Sequence, residues 1–503
     1  MKILTYPVPV IESWIDRTNM YLIVLYGLGG MFLYAFVLSL VGSLSVTPGP
    51  LIASVLVLML SAGITSVVSG KIAGVTAHHP SSVITALILF FLMSPATTTN
   101  EYLVLAAVAA LAVISKYVFS YRRQHIFNAA GLAVWLMALL GYGAASWWVG
   151  TPLLFVPLLV AGVMVVTKVR AWPLVLSFLG VGFTTFLFEE WRFGNDFTAT
   201  WSIYFLAYPT LFLVFFMLTE PFTLPPTRSL KMGYGALVGF LSSTALFVPF
   251  LTMTPELALL LGNLVAYPYT LRRKLYLSFI SKREIGPLLY EYTFEKPAGF
   301  TFKSGQYLEW MLPHAKVDGR GIRRYFTILS SATEPVVRLA CKVPALGSSY
   351  KRALEELNKG DSIIASQLAG DFLLPQDPHK KIAWVAGGIG VTPFVSQSNW
   401  LQATNIKCNI ILLYAANTTE ELVYQDVLEK SATLIPVLAQ GVVPGSESGY
   451  ITADIIARRT PDFKERTWYI SGPPGMVSAT AIALRSLGVS KRRIVKDFFP
   501  GLA

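Results

Sequence analysis

The first 275 residues alternate long apolar runs with short polar breaks, and the remaining 228 do not. A helix needs roughly 20 mostly apolar residues to span a bilayer. Ten such runs predict ten spanning helices, at 20–43, 51–73, 82–96, 101–118, 127–147, 152–167, 172–188, 201–219, 232–249 and 255–271. The third and sixth are short, which fits tilted, broken or partly buried segments. From about residue 276 the apolar positions fall into short β-like runs, "FTFKSGQYLEWMLP" and "RRYFTILSS", and then into strand–turn–helix units. The pattern predicts a multi-domain membrane protein. A ten-helix transmembrane bundle occupies 1–274, a β-barrel 275–377 and an α/β domain 378–503.

Charge sharpens the division. The first 275 residues hold 14 basic and 8 acidic side chains, the rest 26 and 20, and the second density is that of an ordinary globular domain. With both termini on one side of the bilayer, thirteen of those 14 basic residues fall on that side and only Arg192 on the other. The excess of basic residues marks the first side as cytoplasmic in a multi-pass cell (inner) membrane protein. The soluble half follows "LRRK" on that face. The net charge of +12 has no Lys/Arg run or basic helix behind it that would point to nucleic acid, so loop charges facing anionic lipid account for it. The opening "MKILTYPVPVIESWIDRTN" has no small-residue cleavage site and is not read as a signal peptide. Two cysteines, Cys341 and Cys408, are too few for an iron–sulfur cluster, which needs about four, and no metal site is expected.

Several stretches of the soluble half carry chemistry. In "RRYFTILSS", Arg324, Phe326 and Thr327 fit R-x-[YF]-[ST] on a strand. An Arg there neutralises a pyrophosphate, an aromatic stacks on a planar ring, and Thr bonds ring edges; a plain barrel strand fits the same letters. In "GSSYKRALEEL", Gly347, Ser348 and Ser349 open a helix with their N–H groups toward an anion, or cap it. "KKIAWVAGGIGVTP" and "TWYISGPPGM" each end a buried strand in a glycine turn that lets a phosphate approach the backbone.

In this order the signals resemble the ferredoxin–NADP reductase family, an FAD-binding β-barrel followed by an NAD(P)-binding α/β domain, over nearly all of 276–503. The resemblance implies FAD contacts by Arg324, Phe326, Thr327, Gly347, Ser348 and Ser349. It implies an NAD(P)H site at Gly387, Gly388, Gly390, Thr392 and Pro393 with Gly472, Pro473, Gly475 and Met476. Asp497 and Phe498 in "KDFFPGLA" take the place of the acid and aromatic beside the flavin. Ser471 stands where many relatives have Cys, and Thr418 where phosphate-binding relatives have Arg, which leans toward NADH because a 2′-phosphate wants a cation.

The membrane half admits two kinds of carrier. A haem path across the bilayer needs four axial His, and this half has His78, His79 and His125, all on the cytoplasmic side. "SKYVFSYRRQHIFNAAGLAVW" and "FFMLTEPFTLPPTRSLKMGYGALVGFL" instead resemble the flavin-bearing membrane components of Rnf electron-transport complexes and of Na⁺-translocating NADH:quinone reductases. In their terms His125, Asn128, Thr219, Glu220 and Thr223 border a membrane flavin, with Ala129 and Glu220 replacing the usual Pro and Asp. An interfacial structural His125 fits the residues equally. That family attaches FMN to a Thr in a D-x-x-[ST]-[GS]-A-T context. The outer loop "EEWRFGNDFTATW" offers Thr200 out of register, so covalent FMN, non-covalent flavin and a merely solvated loop all stay open.

Together the resemblances imply a membrane-bound NAD(P)H oxidoreductase. It passes electrons via FAD to FMN or a related flavin in the bundle and across the bilayer to an outer-face acceptor (a protein, a flavin or a quinone). The alternatives are an NAD(P)H:quinone reductase acting on the cytoplasmic side and a flavin or solute transporter regulated by its soluble half.

Overall fold

A computed structural model describes Ile15 and residues 18–74, 79–121, 124–195, 197–244, 247–248, 251–270, 274–318, 321–344 and 347–497. The chain divides into two compact units, Met1–Leu271 and Arg272–Ala503. Phe498 and His78 lie outside the described residues.

Every predicted apolar run of the first unit contains a helix. These are α1 Met20–Leu40, α2 Pro48–Ile72, α3 His79–Leu92, α4 Thr99–Val118, α5 Ala129–Leu139, α6 Pro152–Val169, α7 Trp172–Arg192, the short pair α8 Phe197–Ser202 and α9 Thr210–Phe212, α10 Arg228–Ser243 and α11 Pro255–Thr270. The starts have local causes. Asn19 accepts the Tyr21 N–H, Thr98 and Glu101 close a capping box, and Pro48 and Pro152 sit in first turns where no N–H is missed.

The expectation of ten full spans is met only in part. Among the described residues five helices are long and apolar enough to cross a bilayer (α1, α2, α4, α6 and α7), or six if the bent pair is one span. α5 falls short because its run ends in non-helical backbone: the helix stops at Leu139 and the chain runs irregularly through 140–151. The run at 201–219 is interrupted too. Two π-helical segments, Ile203–Ala207 and Leu213–Met217, flank Pro209 and the pair bends by 48°. Proline lacks the N–H that a continuous helix needs there. The long helices are greasy on both faces: α2 buries Leu51, Leu58 and Ala62 while leaving Leu56, Leu60 and Ile64 outside.

The unit repeats one five-segment plan. A two-stranded hairpin, β1 Ser120–Tyr121 with β2 Gln124–His125, joins the fourth and fifth segments; β3 Phe247–Val248 with β4 Leu251–Thr252 joins the ninth and tenth. Within the halves α2 packs on α4 as α7 packs on α10, and α4 on α5 as α10 on α11. Across the halves α1 meets α6 and α5 meets α11. The third segment of each half ends in related letters, "FFLMSP" at 90–95 and "FFMLTEP" at 215–221. Close crossing of α7 and α10 rests on Gly235 and Gly239, four residues apart: a Cβ on Gly239 would lie 2.5 Å from the Phe178 carbonyl.

The second unit begins with a six-stranded antiparallel barrel: β5 Leu275–Gly286, β6 Leu289–Glu295, β7 Tyr307–Met311, β8 Arg323–Thr327, β9 Val336–Lys342 and β10 Ser362–Ala369, in the order β8-β7-β10-β5-β6-β9. A bond from Leu329 N–H to Arg338 O brings the end of β8 back to β9. Leu308, Trp310, Phe294 and Leu339 fill it, and the short helix α12 Ser349–Glu355 adds Tyr350 to that core.

A parallel sheet follows: β11 Ile382–Gly387, β12 Ile410–Ala416, β13 Thr433–Leu438, β14 Glu447–Ser448, β15 Thr467–Ser471 and β16 Ile494–Asp497, in the order β14-β13-β12-β11-β15-β16. Its helices include α13 Thr392–Thr404 after β11, α14 Gln425–Leu428, α15 Ala453–Arg459 and α16 Pro474–Ser486 after β15. β11 is buried at every residue, as a central parallel strand covered on both faces must be. α13 docks on the barrel side: Ser396 Oγ donates to Ser330 O at 2.7 Å and Gln397 Nε2 to Phe372 O at 2.8 Å.

Candidate functional site

The chain leaves β11 toward β12 on one side and later returns to place β15 on the other. The reversal lies between β11 and β15, and open α/β sheets bind ligands at such a point, beyond the carboxyl ends of the strands. Both glycine turns sit there. A Cβ on Gly390 would lie 2.5 Å from Gly472 Cα, and one on Gly387 2.5 Å from Met476 Sδ, so the two turns touch through positions that tolerate only hydrogen. Gly388, at φ 51°, and Gly475 instead face open space, which leaves the backbone approachable by a dinucleotide. Thr392 and Pro393 form the first turn of α13. Asp497 stands beside Ser471 in the β15–β16 register, at the same edge. These predicted residues form one constellation whose geometry fits a nicotinamide dinucleotide.

The predicted FAD residues are brought to the barrel's α12 end. Arg324 lies over the Tyr350 ring at 5.1 Å, with Nη2 3.9 Å from Asp318 Oδ1. Asp318 Oδ2 accepts the Ser349 N–H at 2.9 Å, and Ser349 Oγ is 2.9 Å from His314 Nε2. A carboxylate therefore stands between the Arg and the serine turn, where both would meet a pyrophosphate. Ser348 caps α12 through Lys351 N–H, and Gly347 closes a turn on Pro344 O. Phe326 departs from expectation. It is 4% exposed, pairs in register with Leu308 and packs against Tyr350, so its ring is in the barrel core and offers no face for stacking. Tyr325 takes the other face of the strand, with its hydroxyl 3.2 Å from the buried carboxylate of Glu309. Both letters are aromatic, and only the register of β8 on β7 separates them.

In the first unit five of the six predicted residues meet. Glu220 accepts from Asn128 Nδ2 at 2.8 Å and lies 2.8 Å from His125 Nε2. Asn128 also caps α5, its N–H reaching Asn263, which in turn donates to the Tyr234 hydroxyl at 2.6 Å. Thr219 Oγ1 donates to Phe215 O and Thr223 Oγ1 to Glu220 O. Lys116, held by Ser81 and Thr85, adds a cation from α4. These groups satisfy one another, so the cluster ties the 218–227 loop to the hairpin and α5 as well as offering a polar wall. Thr200 is not part of it. It is fully buried in α8, ahead of the Pro209 break, and Arg192 is paired with Glu189 at 3.1 Å.

Three groups escaped sequence reasoning. Tyr414 reaches the glycine turn, its hydroxyl 3.3 Å from Gly388 O. Lys342 pairs with Glu421 at 2.6 Å; burial alone would raise the Glu421 carboxyl, and the Lys342 and Asn417 bonds outweigh it and lower it. Tyr450, 80% exposed, follows β14 at the carboxyl end of the parallel sheet. An isolated large side chain in solvent is a signal only once the sheet order is known.

Residues 384–481 match the Oxidoreductase NAD-binding domain. Among curated proteins, the glycine betaine monooxygenase reductase subunit of Chromohalobacter salexigens is 28% identical over 216 residues, 41% of this chain and 58% of its own length. The propane 2-monooxygenase reductase component of Rhodococcus jostii is 29% identical over 219 residues, 41% and 57%. The chain thus spans a little over half the length of these relatives. Among solved structures, the Amycolatopsis cytochrome P450 reductase GcoB aligns at TM-score 0.41 and 23% identity, covering 46% of this chain and 71% of that one. A ferredoxin NADP⁺ reductase from Neisseria gonorrhoeae with bound FAD and NADP aligns at TM-score 0.40 and 19% identity, covering 45% and 98%. By sequence the C-terminal unit matches an oxidoreductase NAD-binding domain over 384–481 and, over a longer stretch, the reductase components of monooxygenases.

Proposed function

We propose that the chain is a membrane-bound NAD(P)H oxidoreductase. It takes a hydride from NAD(P)H at FAD in the second unit and delivers electrons through a flavin of the first unit to an acceptor at the outer face. The single observation that carries the reductase half is the contact of the two glycine turns at the point where the sheet order reverses, with Asp497 at the same edge. The matched relatives are named reductase subunits or components, which implies an electron acceptor here too. FAD, when bound, accepts a two-electron hydride and releases single electrons. Arg324 and the Gly347–Ser349 turn would hold its pyrophosphate in place of Asp318. Gly388 and Gly475 would admit the dinucleotide, and Asp497 would sit beside the reacting rings.

For the first unit, support comes from helices apolar on both faces and from the Glu220–His125–Asn128 cluster beside Lys116. Ionisable groups amid apolar helices mark functional sites by default. The flavin there is held without a bond to Thr200, whose hydroxyl is buried. FMN or a related flavin would lie against the Glu220 cluster.

The test is direct. Flavins per chain are counted in the purified protein, and NADH is then added to sealed vesicles of known orientation with an impermeant acceptor on the far side. Two or more flavins and reduction on the far side support the reading. One flavin and no such reduction defeats the transmembrane half, while NADH-driven flavin bleaching alone upholds the reductase half.

A further inference from the structure

The loop 417–424 joins β12 to α14 in the nucleotide domain, yet its side chains are spent on the barrel. Glu421 takes Lys342 of β9 at 2.6 Å through Oε1, and through Oε2 takes the Asn417 N–H and Nδ2 at 3.2 and 3.0 Å. The Tyr424 hydroxyl donates to the buried carboxylate of Glu291 on β6 at 2.7 Å. Tyr424 is held at φ 61°, a left-handed conformation that a bulky residue keeps only where its surroundings impose it. Against the same loop the β5–β6 turn brings Gly286 so close that a Cβ would lie 2.9 Å from Glu420 O. Three separate contacts therefore bind this loop to the barrel.

The other side of the loop faces the dinucleotide turn. Tyr414 is fully buried at the end of β12. Its hydroxyl lies 3.3 Å from Gly388 O and 3.4 Å from Glu421 O, and it accepts the Val423 N–H at 3.3 Å. One hydroxyl thus links the glycine turn of β11 to the loop that the barrel grips. A continuous path of bonds runs from Lys342 through Glu421 and Tyr414 to Gly388.

We infer that the 417–424 loop is a bracket holding the dinucleotide turn in register with the barrel, with Lys342, Glu421 and Tyr414 as positioning residues for hydride transfer. This rests on the reductase reading above. A packed core alone keeps two subdomains together, but hydride transfer needs the reacting atoms held to a few tenths of an ångström. A misplacement of about 1 Å costs a factor near 10² in rate. The bracket spans the two parts that must be aligned, and it does so with an ion pair, which fixes direction better than apolar contact.

The experiment is stopped-flow bleaching of bound FAD by saturating NADH in the full-length protein, with FAD content per chain measured alongside. Lys342→Glu and Glu421→Lys each slow bleaching about tenfold with KM for NADH within about twofold, and the isotope effect with 4-deuterated NADH rises. The double variant Lys342→Glu/Glu421→Lys restores the pair with reversed sign and recovers to within about threefold of wild type. Tyr414→Phe removes one hydroxyl and no charge, slows bleaching about threefold, and carries the test should either charge variant lose its FAD. Single variants as fast as wild type, or no recovery in the folded double variant, overturn the bracket while the wild-type bleaching keeps the reductase reading. A wild-type chain that NADH does not bleach overturns both.

Discussion

Replacing Gly390 by Ala isolates the contact on which the dinucleotide site depends. The new methyl would sit 2.5 Å from Gly472 Cα and 2.7 Å from both Gly472 N and Ser471 O, where ordinary contact begins at 3.4 Å. All three neighbours are backbone, so no side chain can rotate away, and the "GGIG" and "GPPG" turns must separate by roughly 0.9 Å or distort. Gly390 is not among the residues with positive φ, so the penalty is steric and not conformational. Overpacking of this kind costs about 1–3 kcal/mol. A shift near 1 Å between the halves of the site lowers hydride transfer by a factor approaching 10². Gly475→Ala supplies the control in the same constellation: its Cβ meets nothing within 4 Å, and it lies in the first turn of α16. That variant should keep the wild-type Tm or gain slightly, since Ala is the better helix former by up to about 1 kcal/mol. The assay is NADH-driven flavin bleaching with Tm measured on the same samples. A Gly390→Ala protein with wild-type rate and KM would refute the argument, because the turns would then have room that the structure denies them.

Glu220→Leu should lower the stability of the first unit by about 3–5 kcal/mol, because His125 and Asn128 lose their shared acceptor; an unchanged Tm in detergent contradicts the cluster. Thr200→Val should leave flavin content unchanged, and no flavin fluorescence should follow the wild-type band in a denaturing gel; a fluorescent band that the variant abolishes would restore the covalent attachment. Tyr450→Ala should raise KM for NAD(P)H about two- to tenfold with kcat unchanged, the worth of one stacking contact; an unchanged KM removes Tyr450 from the site. The Glu421 carboxyl is lowered in the folded protein, so its contribution is present above the ordinary carboxylate pKa, about 4.3, and is lost as pH falls through the depressed value. The stability difference between wild type and Glu421→Gln should therefore stay flat from pH 8 to 6 and close only in acid; a difference that closes between pH 8 and 6 contradicts the sign.

What was legible in the letters follows the range of the forces that act. Glycine turns, caps and apolar runs are local, and so "GGIGVTP", "GPPGM" and the positions of the helical segments could be read directly. Contacts between residues far apart could not. Lys342 and Glu421 are 79 positions apart, and neither stands in a motif. The facing of Phe326 was hidden for a related reason. Alternation assigns Arg324 and Phe326 to one side of β8 and Tyr325 to the other, but which side is core depends on pairing with Leu308 and Trp310 of another strand. Hydropathy overstates span length where it continues past the end of a helix, as after Leu139, because apolar letters do not report whether backbone bonds are closed.

The five-segment plan gives the stretch 189–201 a different meaning from the one its letters suggest. Arg192 pairs with Glu189 and Glu190 accepts from Asn195 Nδ2, while Thr200, the residue with a possible chemical task, is packed inside α8. The residues that do meet are drawn from the fourth and fifth segments of one half and the third, fourth and fifth of the other. His125 comes from the first hairpin, Asn128 from the start of α5, Glu220 from the loop after the broken pair, Tyr234 from α10 and Asn263 from α11. Sites in proteins built from repeats form where the halves meet, and this one does. The polar cluster at Glu220 is therefore the better place than the outer loop to look for the flavin proposed for the first unit. The start of α5 is fixed by the same cluster, with Asn128 both capping its first turn and holding Glu220.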